Sequence, residues 1–165
     1  MDDLTNRAVL HPEGIAARCA RSGKVITYQR LHEKSARLGA MLAKSGLRPD
    51  DSIALLIDHS LHSHEIRWAA RRLGLTCITI AAGEVPRMRE LLECGKAKTL
   101  FSASKYRQRV EALPSGLAKQ LEVIYVDGIE SHEIVDGYEW TIAYGEANHC
   151  LAVIAQAKGV LSDAD

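Results

Sequence analysis

Ile53-Ala54-Leu55-Leu56-Ile57 is the stretch that decides the fold of this chain. Five consecutive apolar residues leave no polar side for solvent, so the segment reads as a strand covered on both faces, as in a parallel sheet. Over residues 62–73 the period changes: Ile66, Ala69, Ala70 and Leu73 share one face of a helix, and Gly74 closes it. The unit then repeats. Residues 75–80, rich in Thr and Ile, give the next strand, and Pro86 marks a helix start with Met88, Leu91 and Leu92 on one face and Gly95 past its end. Residues 98–101 form a third strand, a helix over 105–113 stops at Pro114, and Val123-Ile124-Tyr125-Val126 before Asp127-Gly128 is a fourth. Strands and helices alternating through short connections predict an α/β fold, a mainly parallel sheet with flanking helices and right-handed crossovers.

Upstream, residues 15–20 and 24–28 are β-leaning runs separated by Arg21-Ser22-Gly23, which predicts a short β-hairpin ahead of the sheet. From 28 to 45, Leu31, Ser35, Leu38 and Leu42 recur at helical intervals with Met41 beside them, Thr27 is placed to cap the start, and Gly46 ends the helix. Beyond Gly128 the pattern fades: 131–137 reads as a loop, and 147–157 carries Cys150, Leu151 and Ile154 at helical spacing. The expected organisation is an α/β subdomain over 1–128 followed by a loop and helical tail over 129–165.

Composition excludes several classes. Lys plus Arg equals Asp plus Glu at 21 each, so no broad positive field draws nucleic acid or anionic membranes. The acidic start Met1-Asp2-Asp3-Leu4 leads into no secretory h-region, and the apolar runs are too short to span a bilayer, so a cytoplasmic protein is expected. Cys19, Cys77, Cys94 and Cys150 lie far apart without a C-x-x-C pair, which predicts buried, reduced thiols rather than a disulfide frame or zinc site.

The run Val25-Ile26-Thr27-Tyr28-Gln29-Arg30-Leu31, then Ser35-Ala36-Arg37-Leu38, then Gly46-Leu47-Arg48-Pro49-Asp50-Asp51-Ser52-Ile53, resembles the start of the AMP-forming acyl-CoA synthetase, luciferase and adenylation-domain superfamily. Trp68-Ala69-Ala70-Arg71-Arg72-Leu73-Gly74-Leu75 and Leu91-Leu92-Glu93-Cys94-Gly95-Lys96-Ala97-Lys98 look like its next two helices in the fatty-acyl-CoA ligase branch. The likeness covers about residues 12–127. It implies a parent that joins ATP and a fatty or aromatic acid into an acyl-adenylate and transfers the acyl group to the thiol of CoA, with Mg²⁺ bridging phosphate oxygens. A peptide-synthetase adenylation domain or an acyl-AMP ligase is also consistent with the likeness.

Departures from the superfamily pattern are specific. Asp50 stands where glycine is usual, and Arg30 replaces a glutamate that would complete a capping box around Thr27. Ala81-Ala82-Gly83-Glu84 replaces a stretch that in some CoA ligases helps to hold a CoA phosphate, and Arg87 or Arg89 is the candidate substitute. The Ser/Thr/Gly-rich phosphate loop, the ribose-binding aspartate and the catalytic lysine have no match. The chain is therefore expected to be a scaffold without catalytic residues, needing the remainder of the ligase as partner and binding no ATP, Mg²⁺ or CoA by itself. The alternative is a free-standing, non-catalytic α/β interaction or regulatory module. A homodimer is expected if apolar surface is left uncovered, with residues 21–24 or the tail bearing Trp140, Ile142, Tyr144, Leu151 and Ile154 at the contact.

Asp58-His59-Ser60-Leu61-His62-Ser63-His64-Glu65 concentrates three imidazoles and two carboxylates, yet His62 and His64 point apart on a helix, so a metal-free surface is expected there. Arg67, Arg71 and Arg72 read as a solvated basic face with Glu65 nearby. No G-x-S-x-G, G-x-G-x-x-G or G-x-x-x-x-G-K motif is present.

Overall fold

The computed structural model describes residues 3–20, 22–57 and 61–126. Four strands form a parallel sheet: β3 (Ser52–Leu56), β4 (Thr76–Thr79), β5 (Ala97–Ser102) and β6 (Glu122–Tyr125), in the spatial order β4-β3-β5-β6. An antiparallel hairpin, β1 (Ile15–Arg18) with β2 (Val25–Thr27), precedes it as expected. Its strands are shorter than the apolar runs suggested, and Gly23 turns the chain at a φ of 71°.

Helices α2 (Tyr28–Lys44) and α3 (Leu61–Leu73) cover one face of the sheet. Leu38, Leu42, Ile66 and Ala69 pack there on Ile53, Leu55, Phe101 and Ile124. The other face, with Ala54, Leu56, Leu100 and Tyr125, is covered from α4 (Met88–Cys94), α5 (Arg107–Glu111) and α6 (Ser115–Ala118) by Met88, Leu92, Val110 and Leu117. Residues 53–56 are all buried because alternate side chains feed the two layers, which is why β3 shows no polar alternation.

Thr27 caps α2, its Oγ1 accepting from the Arg30 N–H at 3.3 Å. Two helices then end in the same way. Gly46 takes a φ of 96°, and the N–H groups of Gly46 and Leu47 donate back to the carbonyls of Ala43 and Leu42. Gly74, at a φ of 68°, and Leu75 repeat this on Arg71 and Ala70. The left-handed glycine closes the helix and the following leucine turns into the core.

The third helix ends before Gly95 as expected, but by another device. Gly95 keeps a helical φ of −79°, and the left-handed residue is Lys96, at 50°. Position 95 is crowded, because an added Cβ would meet the end of the Ile78 side chain and lie 3.0 Å from Leu91 O. Pro86 sits inside a 3₁₀ turn, Ala82–Arg87, two residues before α4 begins.

Two helices have no counterpart in the sequence expectations. One is α1 (Asp3–Leu10), which contributes a single buried side chain, Leu4, to a small cluster with Ile26 and Leu31. The other is α6, four residues after Pro114. Neither has enough apolar positions to show a helical period. Residues 129–165, with their expected loop and tail, and Asp58, His59 and Ser60 lie outside the described residues. Among the described residues no helix is long and apolar enough to cross a membrane.

Candidate functional site

Order β4-β3-β5-β6 makes a topological switch point between β3 and β5. From β3 the chain runs outward to β4 through α3 on one face, then returns past β3 to β5 through α4 on the other. Connections diverge at the carboxyl ends of β3 and β5, where doubly wound sheets open a ligand crevice. The crest here is firmly built. Ala103 N–H donates to Leu56 O and Val126 N–H to Ser102 O, each at 2.9 Å, so sheet bonding continues past the strand ends. Ser102, fully buried, donates its hydroxyl to Ala103 O at 3.1 Å.

Charged groups reach the crest from the segments after β4 and β5. Glu84 Oε2 accepts from the Ala81 N–H at 2.9 Å and closes the turn that leads to Arg87. Arg87 and Arg89, the candidate phosphate ligands, are exposed at the start of α4. Each is engaged within its own helix, Arg87 Nε with Glu90 at 3.1 Å and Arg89 Nε with Glu93 at 3.0 Å. Glu90 raises the Arg87 pKa by hydrogen bond and charge, and Arg87 holds the Glu90 carboxyl below its ordinary value. The structure does not bring the two arginines onto a common acceptor.

The histidine-rich stretch is divided by α3. His62 is buried and its Nδ1 lies 3.2 Å from Glu65 Oε2, whereas His64 is exposed. His59 lies outside the described residues. Among the described residues no group of three His, Cys, Asp or Glu side chains is placed to hold a metal ion.

Glu65 is not the solvated companion of a basic stripe: it is fully buried between α2 and α3. Lys34 Nζ on α2 donates to its Oε1 at 3.0 Å. Burial alone would push the carboxyl up, but the hydrogen bonds and charges of His62 and Lys34 outweigh it and hold Glu65 below the usual carboxylate range. The stripe itself splits. Arg67 donates to Thr79 Oγ1 at 2.8 Å and Arg71 lies over the Trp68 ring, while Arg72 turns inward to Ser35 Oγ at 3.2 Å and His32 Nδ1 at 2.9 Å. Because a guanidinium can only donate, Nδ1 of His32 is the accepting nitrogen. The spacing of His62, Glu65, Ala69 and Arg72, one helical turn apart each time, was the available signal that these polar groups face α2.

Of the thiols, Cys19 is buried, Cys77 is half-buried with its pKa raised by burial, and Cys94 is exposed, against the expectation. Cys94 ends α4 outside the face that Met88 and Leu92 bury. Cys150 lies outside the described residues.

The described unit is a parallel sheet wound with helices on both faces, the architecture of a doubly wound α/β domain. The chain belongs to the family of AMP-binding enzymes, whose profile matches residues 4–151. It is 28% identical over 94 residues to the fatty acid–[acyl-carrier-protein] ligase ScoC of Streptomyces coeruleorubidus, covering 56% of this chain and 18% of that one. It is 24% identical over 125 residues to the 4-hydroxybenzoate–CoA/benzoate–CoA ligase of Rhodopseudomonas palustris, covering 75% and 23%. The N-terminal domain of FACL13 from Mycobacterium tuberculosis has the same fold, with a TM-score of 0.64 at 20% identity over 73% of this chain and 32% of that one. The chain thus spans about a fifth of the length of the curated relatives it matches.

Proposed function

We propose that this chain is the N-terminal α/β part of an AMP-forming ligase that activates a fatty or aromatic acid as its adenylate and passes the acyl group to the thiol of CoA. The carrying observation is the family match over residues 4–151, joined by two relatives named as ligases of carboxylic acids. In this reading the four-stranded sheet is scaffold. Its crest presents the ends of β3 and β5 toward the groups that would bind ATP.

This reading places the ATP–Mg²⁺ groups outside the described residues, among which no three His, Cys, Asp or Glu side chains come together. No chemical step is assigned to the described residues. The exposed guanidiniums of Arg87 and Arg89 are accessible to a phosphate of CoA, but each must first release a glutamate. Stabilising charge on the transferring phosphates needs preorganised donors, which this reading assigns to the remainder of the ligase. Pyrophosphate release by the 165-residue chain with ATP, Mg²⁺ and a panel of carboxylic acids should therefore equal a heat-killed control. Turnover above that control would overturn the assignment as a non-catalytic part. The reading of the parent is tested by the reading frame after Asp165: continuation into a Ser/Thr/Gly-rich phosphate loop supports it, and an immediate stop codon opposes it.

A further inference from the structure

Among the described residues the large apolar side chains that stand in solvent all fall within residues 9–25: Val9 and Leu10, each 71% exposed, Ile15 at 51% and Val25 at 43%. The hairpin register explains why two of them stay outside. Ile15 pairs with Thr27 and Arg18 with Val25, while Ala17 pairs with Ile26, which is buried against Leu4 and Leu31. Cross-strand partners share a face and successive residues alternate, so Ala17 and Ile26 take the inner face, and Ile15, Arg18 and Val25 take the outer. Val9 and Leu10 arrive at the open end of that face. Gly14 N–H donates to His11 O at 3.0 Å and Tyr28 N–H to Gly14 O at 2.9 Å, so the end of α1, the start of β1 and the start of α2 meet within one turn.

Cations flank this apolar set. Arg7, on α1, lies 5.6 Å from the centroid of the Tyr28 ring and holds Asp3 at 3.3 Å. At the turn end of the hairpin Arg18 and Lys24 are both exposed. Arg18 donates to Gly23 O at 3.5 Å, and no carboxylate among the described residues pairs with it. The balance of 21 bases and 21 acids over the whole chain does not extend to this region: residues 7–30 carry five Lys and Arg against one acid, Glu13.

We propose that the end of α1 and the outer face of the hairpin form a docking surface for an anionic lipid membrane, with Val9, Leu10, Ile15 and Val25 entering the boundary between headgroups and acyl chains, and Arg18 and Lys24 meeting the lipid phosphates. Charge complementarity selects the occupant, since five bases against one acid suit a surface of negative sign. The exposure of Val9 and Leu10 selects its phase: side chains that protrude this far suit insertion into a deformable layer. Buried apolar area and attraction to anionic headgroups add in holding such a surface to a membrane that the chain does not span.

Co-sedimentation of the 165-residue chain with sucrose-loaded vesicles tests this. Vesicles of phosphatidylcholine with about 30% phosphatidylglycerol should bind it about tenfold or more above phosphatidylcholine alone, and about 500 mM salt should remove most of that preference by shortening the Debye length to about 4 Å. Val9→Ser/Leu10→Ser should lower partitioning onto the anionic vesicles about tenfold. Both side chains lie in solvent, so the fold is not at stake, and an unchanged circular dichroism spectrum verifies it. Arg18→Gln/Lys24→Gln should lower partitioning by a similar factor, whereas Arg109→Gln/Lys119→Gln, which removes the same charge from α5 and the end of α6, should leave it within about twofold. Equal binding to neutral and anionic vesicles would overturn the proposal, as would binding that survives the serine pair or that falls as far with the Arg109 and Lys119 pair. Self-association without vesicles that grows with protein concentration and is abolished by the serine pair would also overturn it, by assigning the face to a second copy.

Discussion

Lys34 Nζ on α2 meets Glu65 Oε1 on α3 at 3.0 Å, and the carboxylate it meets is fully buried between the two helices. His62 Nδ1 approaches the second oxygen at 3.2 Å. Both oxygens of a buried acid are therefore engaged, and the pair of helices that covers one face of the sheet is joined by charge as well as by Leu38, Leu42, Ile66 and Ala69.

Removing the ammonium should be severe. Lys34→Ala leaves Glu65 charged, shielded from water and short of a partner, which in buried pairs costs about 3–5 kcal/mol. The double variant Lys34→Met/Glu65→Leu should lose less than Lys34→Ala, since no charge is stranded. Urea denaturation of the two variants beside the parent chain tests the order; a Lys34→Ala midpoint equal to the parent's would show that the pair is inert.

Acid should weaken the same contact. The Glu65 pKa is lowered on folding, so its contribution is complete above the unfolded carboxylate value and fades as pH falls through the folded one. Thermal melts from pH 7 to pH 3 should show a loss of Tm on the acid side that is shallower in Glu65→Gln. Parallel curves for the two proteins would remove Glu65 from the acid response.

Asp50 has a φ of 71°, the left-handed region, and its N–H donates to Gly74 O at 2.9 Å in the turn before β3. A side chain there is strained, so Asp50→Gly should be neutral to stabilising, up to about 1 kcal/mol, after the added freedom of glycine in the unfolded chain is subtracted. Gly46→Ala and Gly74→Ala move in the opposite direction, each losing about 1–2 kcal/mol by placing a Cβ at positive φ. Chemical denaturation distinguishes the signs.

Gly95→Ala tests space rather than conformation. Its φ of −79° suits alanine, but the new methyl would meet the Ile78 side chain. Overpacking of this kind costs about 1–3 kcal/mol, and Ile78→Val in the same molecule should recover part of it. Failure of the double variant to recover any stability would mean that the obstruction is the backbone around Leu91.

Arg87→Ala and Arg89→Ala should leave the denaturation midpoint unchanged, since both ion pairs lie on the solvent-facing side of α4. In the complete ligase, a rise in KM for CoA without a change in that midpoint would assign them to the phosphate. An unchanged KM would end that role.

Much of this architecture is local in origin and was legible in the residues. The continuous apolar run at 53–57 specifies a strand buried on both faces, and Gly46-Leu47 and Gly74-Leu75 specify where helices stop, because a left-handed glycine followed by an apolar residue is a short-range device. The ordered motifs from Val25 to Lys98 also indicated the family. What only the tertiary structure decided depends on which faces meet. The inward turn of Glu65 and Arg72 and the crowding of position 95 by Ile78 follow from packing between elements distant in the chain. Sequence order does not encode that packing at any one position: the side-chain types at 65 and 72 suit solvent, and only the approach of α2 makes them interior.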